Sequence, residues 1–150
     1  MITGKIVGDA ELIQRLNSMP EVIRGRLRTA IQRLTIQLQG NVKGDKLSGQ
    51  VLQVRTGRLR RSITQQVTES GDTITGIVGT NVEYAHRLEY GFEGQETVRE
   101  HIRKLKSGKI ASVRSFVRNA KTPQRSFLRS ALQEMKPTII EEITAAMKKK

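Results

Sequence analysis

The sequence predicts an α+β fold in which a long N-terminal helix and a C-terminal helix pack on a small antiparallel β-sheet, with a basic β-hairpin arm inserted. Three observations carry this. Ile23, Leu27, Ile31, Leu34, Leu38 and Val42 recur every three or four residues and lay one apolar stripe along a helix of about six turns. Residues 63–69 and 73–79 are rich in Thr, Ile and Val around Ser70-Gly71-Asp72, the chemistry of a tight hairpin. Phe127, Leu128, Ala131, Leu132, Met135, Ile139 and Ile143 form a second helical set near the C-terminus.

Ahead of the stripe, Asp9 suits the N-cap of a short helix carrying Leu12, Ile13 and Leu16. Ser18 and Glu21 have capping-box spacing with Pro20 in the first turn, so the long helix is expected to start there. Arg24, Arg26, Arg28 and Arg33 lie off the stripe and read as a solvated face, with contact to an acidic neighbour as the alternative. Residues 44–50 read as a loop, and Thr56-Gly57 opens a short turn or helix bearing Leu59.

In the hairpin, Ile63, Gln65 and Val67 share one face and Ile74, Gly76 and Val78 another, and one face is expected to rest on the long helix. Asn81 is then expected to cap a brief helix whose Tyr84, Ala85 and Leu88 face the sheet and which Gly91 ends. From Thr97 to Leu105 and from Ile110 to Arg118 a loose alternation around Lys106-Ser107-Gly108-Lys109 predicts the arm. Val98 and Ile102 are placed on one face of it, opposite Arg99, His101 and Arg103; Val113 and Val117 oppose Arg114, Phe116 and Arg118. The last helix is expected from about Arg125 to Met147, kinked or broken near Met135 or Lys136 by Pro137. Lys148 to Lys150 read as a solvated tail.

The chain has 150 residues, a length that fits a single domain, with residues 92–122 as the inserted arm. Only 3% of residues are aromatic, which predicts a modest aliphatic core that leaves room for stabilisation by partners. With no Cys and two His, the composition excludes disulfides, thiolate metal sites and an imidazole cage, and no cofactor is expected. No stretch has the form of a signal peptide or of a membrane span, so the expectation is a soluble protein that remains in the cell where it is made, with no membrane partner.

The formal charge of +13 implies an anionic partner. Between Thr97 and Arg129 ten Lys or Arg face one acid, Glu100, so most of the excess lies in the arm and the segment between it and the last helix. Arg55, Arg58, Arg60 and Arg61 are a second cluster, expected to meet acidic residues of a neighbouring subunit or, second, DNA. Catalysis has little to work with. Glu93 with Glu96, read as loop residues, and Glu141 with Glu142 are the close acid pairs and read as solvated charges; His86 and His101 read as surface residues. The chain is therefore not expected to be an enzyme.

Three motifs in order complete the reading: Arg55-Thr56-Gly57-x-Leu59-x-x-Ser62, then Gly79-Thr80-x-x-x-Tyr84-Ala85 with Glu89 and Gly91, then Pro123-x-x-x-Phe127-Leu128-x-x-Ala131. Together, over about residues 9–145, the chain resembles the tail-component or tail-completion family of tailed bacteriophages, small proteins of the head-to-tail joining region. It departs from shorter relatives by inserting the arm of about thirty residues after Gly91. The motif residues themselves read as structural.

The resemblance implies a structural virion protein of the neck or tail end, made in the host bacterial cytoplasm. Copies would form a ring, six-fold by the family's pattern, that completes the tail and joins head to tail around the DNA channel. Its partners would be further copies, neighbouring neck, connector or tail-tube proteins, and DNA by non-specific contact. Val98, Ile102, Val113 and Val117 are expected to contact the next subunit, while Arg99, Arg103, Arg114 and Arg118 face acidic partners or DNA. The alternative is a non-virion nucleic-acid-binding protein that uses the basic arm, although the chain lacks an aromatic stacking platform.

Overall fold

The structure, a computed structural model, describes residues 2–5, 21–71 and 73–148. The elements are β1 (Ile2–Lys5), α1 (Glu21–Asn41), a π-helical segment (Val42–Gln50), α2 (Arg58–Ser62), β2 (Thr64–Ser70), β3 (Thr73–Thr80), α3 (Tyr84–Tyr90), β4 (Phe92–Val98), β5 (His101–Lys104), β6 (Ile110–Val113), β7 (Phe116–Thr122) and α4 (Leu128–Lys148). The class is α+β. The helix read around Leu12 and the capping Ser18 lie outside the described residues, as do Lys149 and Lys150.

β3 is the central strand of an antiparallel sheet of order β1-β3-β2, with Thr64 opposite Gly79, Ser70 opposite Thr73 and Ile2 opposite Thr80. The β2–β3 hairpin was legible in the sequence, but β1 was not, because four residues carry too little alternation. At Gly71 φ is 56°, the left-handed conformation a tight turn needs. α1 crosses this sheet at Gly76, where an added Cβ would lie 2.2 Å from Thr35 Oγ1 and 3.2 Å from Ile31 Cγ2. A glycine therefore sets how closely helix and sheet approach.

The stripe on α1 faces inward as expected: Leu27, Leu34 and Val42 are buried, with Ala30 and Thr35 beside them. Leu34 packs with Met135 and Ile139 of α4, and Leu38, Leu132 and Ile143 flank them. The larger cluster joins Val42, Leu47, Ile63, Val78, Val82, Ala85, Phe127, Leu128 and Ala131. Each large aliphatic or aromatic side chain buried here contributes about 1.5–3 kcal/mol. Around this core the cations of α1 meet acids of the same chain rather than water alone. Arg24 donates to the Gly71 carbonyl at 2.8 Å, Arg24 and Arg28 flank Glu69, and Arg33 pairs with Glu142. Their exposure limits each pair to about 1 kcal/mol.

Four local expectations are corrected. Residues 44–50 are not a loop; the chain keeps turning and stops at Ser48 and Gly49, where φ reaches 132°. Burial explains this, since Val42 and Leu47 enter the core and the Lys46 ammonium donates to Gln50 Oε1 and Glu134 Oε1, both at 2.6 Å. Asn81 does not cap α3; Thr80 Oγ1 accepts from the Val82 amide at 3.2 Å, and Glu83 precedes the helix without a side-chain cap. Tyr84 is 41% exposed and turns away from the sheet, leaving Ala85 at 0% as the inward residue. α4 runs through Pro137 as one helix, so the expected break is absent; Gln133 and Pro137 lie on its exposed side.

The start of α4 depends on Glu89. Its side chain is fully buried, and its carboxylate accepts from the amides of Phe127 (2.8 Å), Leu128 (2.9 Å) and Arg129 (2.9 Å), from Ser126 Oγ (2.7 Å) and from Arg129 Nε (3.2 Å). Amides at a helix start lack intrahelical partners and carry partial positive charge, so a carboxylate there satisfies donors and complements the dipole. Burial alone would push this carboxyl's pKa up, but the hydrogen bonds from Leu128, Arg129, Ser126 and Phe127 outweigh it and hold the pKa below its ordinary value.

Because the folded pKa is depressed, the stabilisation is fully present above the unfolded carboxylate pKa of about 4.3 and disappears as pH falls through the lower folded value. Glu89→Gln should cost about 2–4 kcal/mol at neutral pH, read by urea denaturation. The variant should also lose less stability than the parent between about pH 4.3 and pH 2. Equal acid sensitivity in both proteins would mean that the carboxylate is not the group that titrates.

Candidate functional site

Two surfaces carry the candidate residues. The first is the arginine turn. Gly57 takes φ 69°, which lets the chain reverse, and the Arg61 amide then donates to the Gly57 carbonyl at 2.9 Å. Arg61 also donates through Nη2 to the Thr56 carbonyl at 3.2 Å, and the Arg58 amide meets Thr56 Oγ1 at 3.4 Å. Ile63 is fully buried and Leu59 packs against the same core, so both anchor the turn.

Ser62 and Thr80 join the first two sequence motifs. Ser62 Oγ donates to the Leu59 carbonyl at 2.8 Å and lies 2.6 Å from Thr80 Oγ1. With its one proton committed to Leu59, Ser62 accepts from Thr80. Glu89 joins the second motif to the third, and Gly91 completes the link: its φ is 78°, and an added Cβ would sit 3.2 Å from both Gln124 N and the Thr122 carbonyl. Ser62, Thr80, Glu89 and Gly91 thus connect the three motifs, while Arg55, Arg58 and Arg60 are exposed. Among the described residues none of these three arginines forms an ion pair with an acid.

The second surface is the arm. β4 pairs with β7 from Phe92 opposite Thr122 to Val98 opposite Phe116, and β5 pairs with β6 from His101 opposite Val113 to Lys104 opposite Ile110. The tip closes through Leu105 N–H to the Lys109 carbonyl at 2.8 Å, with Gly108 at φ 81°. The ladder starts at Phe92, so Glu93 and Glu96 are strand residues rather than loop residues. Neither is a free charge: Glu93 pairs with Lys121 at 2.9 Å, and Glu96 accepts from Arg118 Nε and Nη2 at 2.8 and 2.6 Å and also pairs with Arg87. The bonds from Arg118 and then Arg87 hold the Glu96 pKa below the ordinary carboxylate value. Arg87 also lies 4.2 Å over the Phe92 ring and so straps the arm's base to α3.

The register places the arm's apolar residues relative to one another, because directly opposed residues of a ladder project to the same side. Val98 shares its side with Phe116, Val117 with Thr97, His101 with Val113 and Ile102 with Ser112. Val98, Ile102, Val113 and Val117 therefore do not form one stripe. None of them enters the core clusters, and Ile102 is 75% and Ile110 76% exposed. Of the arm cations, Arg118 is held by Glu96, whereas Arg99, Arg103 and Arg114 are exposed.

The two histidines stay on the surface: the His86 ring lies 4.8 Å from Tyr90, and His101 Nδ1 lies 3.0 Å from the Arg99 carbonyl. Among the described residues no group of three or more His, Asp or Glu is arranged to hold a metal ion. No described helix is long and apolar enough to cross a membrane. Lys43 and Lys46, one beside the arginine turn and one buried, were missed in sequence reasoning, since both fell in or beside the stretch where a loop was expected.

Removing the shared acceptor at the arm's base should loosen the arm alone. Glu96→Gln is expected to speed amide hydrogen exchange in β4 and β7 while leaving exchange in α1 and β3 unchanged. Equal acceleration everywhere would show that the strap supports the whole fold.

A family model described as "Bacteriophage HK97-gp10, putative tail-component" matches residues 10–91, more than half of the chain. The match takes in the arginine turn, the β2–β3 hairpin and α3 with Glu89, and stops at Gly91, where the arm begins. No curated protein and no solved structure matches the chain. With its motif residues from Arg55 to Gly91 inside the matched span, the chain belongs to the HK97-gp10-like family of bacteriophage tail components.

Proposed function

We propose that this tail component acts at the neck or tail end, where copies close into a six-fold ring that completes the tail and joins head to tail around the DNA channel. Its work in this reading is assembly rather than catalysis. The chain acts as one unit of residues 1–150, and residues 92–122 are an insert that serves the ring. The observation that carries the reading is the arm: a two-stranded ribbon outside both core clusters, with Ile102, Ile110 and Val117 well exposed. Such a ribbon is marginal in water by itself and gains stability by lying on a partner.

A closed ring uses a head-to-tail interface, in which one patch of each subunit meets a different patch of the next. The arm supplies one patch, with Val98, Ile102, Val113 and Val117 contributing from both sides of the ribbon. Arg99, Arg103, Arg114 and the arginine turn face acidic groups of neighbouring neck or tail proteins, or DNA in the channel. One observation favours the second reading, a nucleic-acid-binding protein outside the virion: the exposed cations of the arm tip form no ion pair among the described residues.

Deletion of residues 97–118 should leave a folded chain that sediments as a monomer where the full chain assembles. Unfolding on deletion would make the arm part of the core and end this reading. In a phage lacking the gene, full heads beside unattached tails are expected by electron microscopy, and normal infectious particles would exclude the joining role. Duplex DNA binding that weakens steeply as salt rises, with no assembly, would favour the second reading.

A further inference from the structure

A groove runs between the arginine turn and the arm's root. Two concavities, of about 410 and 860 Å³, share Arg55, Thr56, Gly57 and Arg60 as lining residues and so form one depression. Lys43 and Arg61 line one end, and Lys121 and Arg125 the other. No described acid lines either part. Apolar side chains also line it, among them Leu52 and Leu88, which pack on the main core.

We propose that this groove binds an acidic, partly apolar peptide segment of another tail or neck protein. Net charge makes a partner of opposite sign a better source than a second copy of this chain. Every copy carries +13, and the described carboxylates outside ion pairs, Glu21, Asp45, Glu83, Glu100 and Glu141, stand singly on separate parts of the fold. The described residues of a copy therefore offer no run of free acids to a groove with six cations. Duplex DNA fits less well: its phosphates lie on the outside of a stiff cylinder, which could touch the cations but would leave the apolar lining residues unused. A peptide with carboxylates between apolar side chains meets both.

The proposal rests on the tail-component reading only for the source of the segment; binding itself does not require a ring. The test is fluorescence anisotropy of the full chain with three labelled probes: a short peptide alternating Glu and Leu, one alternating Glu and Ser, and a short DNA duplex. The Glu-Leu peptide should bind at least about tenfold more tightly than the Glu-Ser peptide. Arg55→Glu with Arg60→Glu, both at exposed positions, should weaken it by at least about tenfold, while Arg103→Glu with Lys104→Glu on the arm should leave it within about twofold. Equal binding of the two peptides, equal loss with the arm variant, or binding of the duplex alone would overturn the proposal. The chain lacking residues 97–118 separates the two readings: lost assembly with retained peptide binding supports the groove, and retained assembly with lost binding counts against it.

Discussion

One buried carboxylate holds the parts of this fold together. Glu89 stands at the end of α3, yet its oxygens close the first turn of α4, about forty residues later in the chain. Between these points the chain leaves, forms the arm and returns. A buried anion without partners would be prohibitive, so its hydrogen bonds define where α4 begins and how it faces the sheet. The Arg125 amide, donating to the Leu88 carbonyl at 2.7 Å, and the Arg129 guanidinium, 4.5 Å over the Tyr90 ring, reinforce the junction. With the two ends pinned, the intervening segment is free to be long or short without disturbing the core.

That arrangement lets the segment after Gly91 depart and return without crossing the core. Gly91 passes close to Gln124 and Thr122, so the two ends of the arm meet where α3 and α4 are already joined. The arm contributes no residue to either core cluster, and its base is held by Arg118 and Arg87 on Glu96. Exposed ion pairs of this kind add little stability, but converging on one acceptor they restrict the direction in which a ribbon leaves the body. Glu69, Glu134 and Glu142 are likewise consumed by internal pairs with cations of α1 and with Lys46, whereas the cations of the arginine turn and the arm tip form no such pairs among the described residues.

The sequence motifs are connected to one another through side-chain hydrogen bonds. Ser62 with Thr80 links the first to the second, and Glu89 with the Phe127 and Leu128 amides links the second to the third. A motif whose members satisfy one another's buried polar groups marks the fold. The exposed positions between them, such as Arg55, Arg58 and Arg60, are where partner contacts can vary.

By itself the sequence determined the elements with strong local signals. The α1 stripe, the β2–β3 hairpin around Gly71, the turn at Gly57 and the arm's tip follow from periodicity and glycine chemistry over a few residues. Only the tertiary structure decided the rest. The continuation of helical turning past α1 to Leu47 depends on Lys46 reaching Glu134, the exposure of Tyr84 on Ala85 taking the core position, and the sides of the arm on a register set across two strands. The role of Glu89 and the groove of Lys43, Arg55, Lys121 and Arg125 likewise join residues far apart in the chain. Periodicity reports which face of one element is apolar, whereas a buried charge, a strand register or a composite groove depends on what lies opposite, and that is set by packing.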